Sequence, residues 1–136
     1  MLIESKKIPE NKIEVIRTCT DPNEFFPIKK TRSPSLTIGY LGSAGTAYNL
    51  EAVIRFFYNF LKLEDKSILK ILSKLDREEL SVLLKKHKIP RSKVVLDYAL
   101  RSELNREINS FDLVVFYLKE NYSVIASMPT KIGEAL

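Results

Sequence analysis

Short apolar runs alternate along the chain with longer stretches in which apolar residues recur every three or four positions. The runs predict four strands, at residues 36–41, 68–72, 94–96 and 112–117. The stretches predict three helices, one carrying Leu50 to Leu61, one capped by Asp76 and one over residues 102–109. The fourth run is almost wholly apolar, which is typical of a strand buried on both faces of a sheet.

Strands and helices that alternate in this way predict a parallel sheet with right-handed crossovers. We therefore expect an α/β, Rossmann-like, doubly wound domain with strand order 3-2-1-4, its fifth strand missing or supplied elsewhere. In such a sheet, ligands bind outside the carboxyl ends of strands 1 and 4, where the chain reverses direction. The loops at these two ends, residues 42–46 and 118–131, form the predicted ligand site.

The first of these loops reads Gly-Ser-Ala-Gly-Thr. It resembles a turn that cradles a phosphate, because glycines let an anion approach the backbone closely. It lacks the full GxGxxG spacing of dinucleotide sites and the lysine of a P-loop. A tight strand-to-helix turn with no ligand explains the same residues.

The last nine residues begin like a helix aimed at a phosphate, and the chain ends inside that helix. Ser127 or Thr130 is the predicted N-cap, and the first amides of such a helix carry the positive end of its dipole. Lys131 adds a full positive charge, and Gly133 opens the backbone to an anion. The alternative is an ordinary capped helix with a solvated Lys131 and Glu134.

The balance of charge favours anionic partners. Among 136 residues there are 22 Lys and Arg against 17 Asp and Glu, for a net charge of +5. Nucleotides, nucleic acid and an anionic membrane surface all fit this balance, but no nucleic-acid motif supports that partner and we do not expect it. The basic run at residues 85–93 is interpreted as a solvated helix end and loop.

Few residues offer covalent or metal chemistry. His87 is the one histidine, and its lysine neighbours predict a solvated side chain. Cys19 is the one cysteine, so it has no partner for a zinc site or an internal disulfide, which favours a reducing compartment. We expect no catalytic residue, no metal and no cofactor in this chain, and a cytoplasmic location.

Four segments together resemble one protein family. Residues 15–25, with Asp21 in a turn before Phe25, look like the end of the acceptor domain of GT-B glycosyltransferases of the group 1, or family 4, type. Residues 38–50 look like the first strand, glycine loop and first helix of that family's donor domain. Residues 101–112 are similar to the helix before its fourth strand, and residues 127–134 to its donor-phosphate segment.

The resemblance implies a retaining glycosyltransferase whose donor half binds a nucleoside-diphosphate sugar for transfer to a glycan or lipid-linked acceptor. Glu134 matches the second Glu of the family's Glu-seven-residues-Glu motif and would hold the ribose, whereas the first Glu falls at Ala126. The family's usual Arg and Lys are replaced near Tyr40 and residues 44–45. The donor-binding residues implied are Gly42, Ser43, Gly45, Thr46, Lys119, Thr130, Lys131, Gly133 and Glu134.

The resemblance also divides the chain. Residues 1–34, including a candidate strand at residues 12–17, would end the acceptor domain and form the linker, and residues 35–136 would be an incomplete nucleotide-sugar domain. The preceding acceptor domain would be the missing partner and could carry a peripheral membrane contact. We therefore expect the chain alone to be inactive. The alternative is a non-catalytic α/β interaction module that uses an open sheet edge and the basic surface.

Overall fold

The computed structural model describes residues 8–14, 19–30, 33–45, 47–120, 124 and 129–135. Its strands are β1 (Thr37–Leu41), β2 (Ile68–Leu72), β3 (Val94–Asp97) and β4 (Leu113–Val114). They form one sheet in the order β3-β2-β1-β4, and every neighbouring pair is parallel. The predicted Rossmann-like α/β fold and strand order are thus confirmed.

Four helices are described: α1 (Leu50–Phe60), α2 (Arg77–Lys86), α3 (Arg101–Asn109) and α4 (Thr130–Ala135). Two 3₁₀ turns, Glu10–Lys12 and Arg91–Lys93, complete the elements. Side chains fix where two of the helices begin. The side-chain oxygen Oδ1 of Asn49 accepts a hydrogen bond from the Ala52 amide, and the Asp76 carboxylate accepts hydrogen bonds from the amides of Glu78 and Glu79. These bonds satisfy amides that have no partner within the helix.

The alternation of side chains along the strands builds a three-layer domain. Ile38 and Tyr40 of β1 point to one face, where they pack with apolar residues of α1 and α2. Leu41 points to the other face and packs with Leu72 and residues of α3 and α4. Burial on both faces explains why β1 and β2 are nearly continuous apolar runs.

Close packing makes Gly39 a structural necessity in β1. A Cβ atom built on Gly39 would lie 2.0 Å from a ring carbon of Phe111. The Phe111 ring therefore lies directly on the strand backbone. Only glycine leaves room for it.

The fourth strand differs from the prediction. It spans only Leu113–Val114, and Leu113 and Tyr117 are 43% and 39% exposed, so burial on both faces was wrong. The reason is that β4 pairs with β1 on one side only within the described residues, and the chain then leaves the sheet. Residues 117–119 instead pair with residues 47–49 through the antiparallel bridge between Tyr48 and Leu118.

The region before β1 also departs from expectation. Lys12 ends a 3₁₀ turn and residues 13 and 14 are not in a strand, while residues 15–18 lie outside the described part. Phe25, which the resemblance assigns to the end of the acceptor domain, is buried beside Leu41 and Phe111. Asn109 of α3 accepts the amide of Ile28 and donates to the Phe26 carbonyl. Residues 25–28 are therefore packed against the domain.

Candidate functional site

The glycine loop follows β1 and is shaped by two of its own constraints. Gly42 has a φ of +148°, which side-chain-bearing residues rarely adopt. Tyr40, buried in the core, donates its hydroxyl to the Ser43 carbonyl at 2.9 Å. Burial, and secondarily the neighbouring Tyr48, raises the pKa of Tyr40, so its hydroxyl remains a donor. Tyr40 thus supports the loop from the core, and its hydroxyl is bonded to the loop itself.

The segment after β4 brings Lys119 to this loop. The Lys119 amide donates to the Ala47 carbonyl at 2.9 Å, and the Asn49 amide donates to the Tyr117 carbonyl at 2.8 Å. Between these bonds, the Lys119 ammonium donates to the Gly45 carbonyl at 2.8 Å. Lys119 and Gly45, both predicted site residues, are therefore in direct contact.

Helix α4 brings Lys131 to the same place. Its ammonium lies 5.4 Å from the centre of the Tyr48 ring, and its Cε lies 3.6 Å from where a Cβ on Gly42 would stand. A cation over an aromatic face is attracted by the ring's negative centre. The loop after β1 and the segments after β4 thus meet, as the fold rule predicted.

A cavity of about 630 Å³ opens beside the loop, a volume ordinary for small-molecule sites. Its floor is apolar, with Leu41 and Leu72 at the strand ends, and Lys131 lies on its wall. Lys74 and Tyr98 also line it, and the Lys74 ammonium lies 5.1 Å from the Tyr98 ring centre. The cavity therefore follows the carboxyl ends of β1, β2 and β3. The ligand site predicted from the sequence lay between the ends of β1 and β4, and it corresponds to only one wall of this cavity.

Glu134 lies in a different pocket from Lys131. Its carboxylate accepts a hydrogen bond from Arg101 Nη1 at 2.9 Å, and the Glu134 side chain is 10% exposed. Arg101 also pairs with Glu24 at 2.6 Å and stacks over Phe25 at 4.7 Å. Hydrogen bonds to Glu24 first and Glu134 second raise the pKa of Arg101. The Glu134 carboxylate thus forms an ion pair with Arg101.

The remaining predicted residues have varied positions. Thr130 is exposed and is the first residue of α4, so it lies one position too late to be the N-cap that the sequence suggested. Gly133 lines the pocket of Glu134, and a Cβ there would lie 3.5 Å from Cβ of Thr20. Ser43 lines the cavity beside Lys131. Thr46 and Ser127 lie outside the described residues.

His87 is not solvated as predicted. Its side chain is 15% exposed, and Nε2 lies 3.0 Å from Oε1 of Glu51. Lys86 reaches the same carboxylate at 2.7 Å. These hydrogen bonds, Lys86 first and His87 second, lower the pKa of Glu51. The packing of α1 against α2 creates this cluster from residues far apart in sequence.

Sequence reasoning overlooked Lys74, Tyr98 and Tyr48 as site residues. Tyr98 directly follows β3 and Lys74 comes two residues after β2, so the rule that ligands bind at carboxyl strand ends was a usable signal for both. Tyr48 had no such signal. Its contact with Lys131 depends on how α4 docks.

No protein-family model matches this chain, and no curated protein sequence matches it significantly. The resemblance given above therefore stays a prediction carried by the segments quoted for it. None of the described helices is long and apolar enough to cross a bilayer. Across the described ranges, no three His, Cys, Asp or Glu side chains gather as a metal site requires.

Proposed function

We propose that this chain is the donor half of a retaining GT-B glycosyltransferase and binds the diphosphate of a nucleoside-diphosphate sugar at the carboxyl edge of its sheet. The observation that carries the proposal is the convergence of three separate segments. Gly42 of the loop after β1 and Lys131 of α4 line one cavity, and Lys119 of the loop after β4 contacts Gly45 of the same glycine loop.

The glycine-loop end of the cavity suits an anion of two or more charges, and the two acidic residues of the lining, Asp76 and Glu79, belong to the start of α2. Lys131 supplies a cation on the cavity wall, and Lys119 supplies a second beside Gly45. Because Gly42 has no side chain, the backbone of the glycine loop is open to an anion there. Asn49 already satisfies an amide at the start of α1, so we assign the phosphate contacts to the loop and the lysines.

The apolar floor of the cavity gives the rest of the ligand a place. Leu41, Leu72 and Leu75 line it, and Tyr98 stands at one side with half its surface exposed. Such walls bury the flat face of a nucleoside. Glu134 has no part in this proposal, because its carboxylate pairs with Arg101 in another pocket.

Calorimetry with a panel of UDP-, GDP- and ADP-sugars tests the proposal. At least one should bind, and the matching nucleoside without phosphates should bind more weakly. No heat of binding from any of them, with a sample whose folding is verified by circular dichroism, contradicts the proposal.

Lys131→Ala locates the site. Loss of a charge-assisted contact should weaken binding about tenfold or more. Lys66→Ala removes the same charge from the opposite edge of the sheet. It should leave the affinity within about twofold, because salt screens a charge that lies more than a Debye length from the ligand. Equal affinities for wild type and Lys131→Ala remove Lys131 from the site.

One observation favours the alternative, a non-catalytic interaction module. Among the described residues, β4 has a partner on one side only, and an apolar groove beside it is lined by Leu113, Phe116 and Ile132. An open strand edge is a template for pairing with another chain. Sedimentation at several concentrations measures this. A mass that rises with concentration favours the module, and a constant monomer counts against self-pairing.

A further inference from the structure

The two loops at the amino edge of the sheet form one surface opposite the cavity. Residues 61–67 join α1 to β2, and residues 87–93 join α2 to β3. β2 and β3 are neighbours, so the loops lie side by side, and a shallow pocket spans them between Lys62 and Lys88. The Lys93 ammonium donates to the Asp65 carbonyl and ties one loop to the other.

The net charge of the chain is concentrated here. Residues 61–67 and 87–93 contain five Lys or Arg and two acidic residues, Glu64 and Asp65. The whole chain has 22 basic and 17 acidic residues, for a net charge of +5. These two short loops therefore carry +3 of that charge. Lys62, Lys66 and Lys88 are exposed there.

A hydrophobic side chain stands among these lysines. Leu63 is 82% exposed, the most exposed large apolar residue described, with Lys62 before it and Lys66 three residues on. Tyr58 is 37% exposed, and the Lys62 ammonium covers its ring at 4.4 Å. An exposed leucine beside lysines, on a surface whose net charge is positive, suits the boundary between lipid headgroups and acyl chains.

Lys88 stands where a glycine would be more stable. It follows the end of α2 with a φ of +56°, and its amide and that of Ile89 donate to the carbonyls of Lys85 and Leu84. Helix ends of this geometry strongly prefer glycine. A lysine in that conformation places a charge on the surface but lowers the stability of the helix end. Strain of this kind is typical of functional positions.

We propose that this surface, the amino-edge patch of Tyr58, Lys62, Leu63, Lys66, Lys88, Arg91 and Lys93, binds the surface of an anionic lipid bilayer. Leucine insertion and lysine attraction act together at such a surface. A nucleic acid would use a free aromatic face for stacking, but the Tyr58 ring is covered by Lys62. This inference is independent of the nucleotide site.

Cosedimentation of the 136-residue protein with vesicles tests the proposal. Vesicles containing about a third phosphatidylserine should bind it, neutral phosphatidylcholine vesicles should not, and raising salt should release it because exposed charges are screened. No binding to the anionic vesicles at low salt overturns the proposal.

Two variants separate insertion from charge. Leu63→Ser should weaken vesicle binding roughly tenfold, since a leucine then no longer enters the apolar layer. Lys88→Gly should weaken it about fivefold, the effect of one lysine at a membrane surface, and should raise the melting temperature by about 4 °C because the helix end is relieved. Weaker binding by a more stable protein cannot come from misfolding.

Arg106→Gln is the matched control. Arg106 is an exposed cation on α3, on the other face of the sheet, and its loss should leave binding within about twofold. If all three variants bind equally, or if a single-stranded RNA oligonucleotide binds more tightly than the vesicles and ignores Leu63→Ser, the lipid proposal is overturned.

Discussion

The two edges of the sheet carry the same kind of charge in different settings. At the carboxyl edge each lysine is held by a partner: Lys119 by the Gly45 carbonyl, Lys131 by the Tyr48 ring and Lys74 by the Tyr98 ring. At the amino edge Lys62 lies over the Tyr58 ring and Lys93 contacts the Asp65 carbonyl, but Lys66 and Lys88 are exposed on the same open surface as Leu63. One edge is a cavity and the other is an open surface.

The difference teaches that net charge alone does not identify a partner. A parallel sheet sends every strand-to-helix loop to one edge and every helix-to-strand loop to the other. A basic chain can therefore hold a small anion at one edge and face a large anionic surface with the other. Substitutions in the strand between the edges and at each edge show what holds each of them in place.

The largest effect is expected at Gly39, in the strand that joins the two edges. Gly39→Ala places a methyl group 2.0 Å from the Phe111 ring, so the ring or the strand must move. The free energy of unfolding should fall by about 3 kcal/mol. Urea denaturation measures it.

Gly45→Ala is the control for this change. Its Cβ would meet nothing closer than 3.6 Å, and Gly45 has no positive φ. Its unfolding free energy should stay within about 0.5 kcal/mol of wild type. Equal losses at Gly39 and Gly45 contradict the packing of Phe111.

A smaller effect is expected at Asp112, which shows that charge at the amino edge can also be structural. Its carboxylate accepts the Thr37 amide at 2.7 Å and pairs with Lys30 at 2.6 Å, which ties the start of β4 to β1. Burial alone would raise the pKa of Asp112, but the hydrogen bonds from Lys30 and Thr37 outweigh it and lower the pKa. Asp112→Asn should cost about 1–2 kcal/mol at pH 7.

The sign of the pH dependence follows from the lowered pKa. The stabilisation is complete above the unfolded-state pKa, near 3.9, and is lost as the pH falls through the folded-state pKa. Unfolding free energies of wild type and Asp112→Asn should therefore differ at pH 7 and converge at a pH below the folded-state pKa. A difference that is the same at both pH values excludes this role of the carboxylate.

The smallest effect is expected at Tyr40, which supports the carboxyl edge. Tyr40→Phe removes the donor to the Ser43 carbonyl and keeps the ring in the core. Stability should fall by about 1 kcal/mol, and proton exchange in the glycine loop should become faster. Unchanged exchange at Ser43 and Ala44 counts against Tyr40 as the support of the loop.

Local patterns predicted most of this fold, because they act within a few residues. The extents of β2 and α3 and the Asp76 cap follow from apolar spacing and capping chemistry. The order of the strands is that of the doubly wound, Rossmann-like sheet, which the alternation of strands and helices indicated. The meeting of the loops after β1 and β4 follows from that order.

Long-range packing decided the rest. His87 reaches Glu51 only because α1 and α2 lie side by side. Glu134 pairs with Arg101, 33 residues earlier in the sequence, and lines a different pocket from Lys131, which the sequence around it did not indicate. The length of β4 depends on which strands pair with it, and the apolar residues of 112–117 do not indicate that pairing.

The most direct test of the account is a nuclear magnetic resonance titration of the isotopically labelled chain with a nucleoside-diphosphate sugar found by calorimetry. The chain has four glycines, whose amide signals occupy a separate region of the spectrum. We predict shifts at Gly42, Gly45 and Lys131 and none at Leu63 or Lys88. Shifts confined to Leu63, Lys88 and their neighbours, with the glycine loop unmoved, would contradict the account.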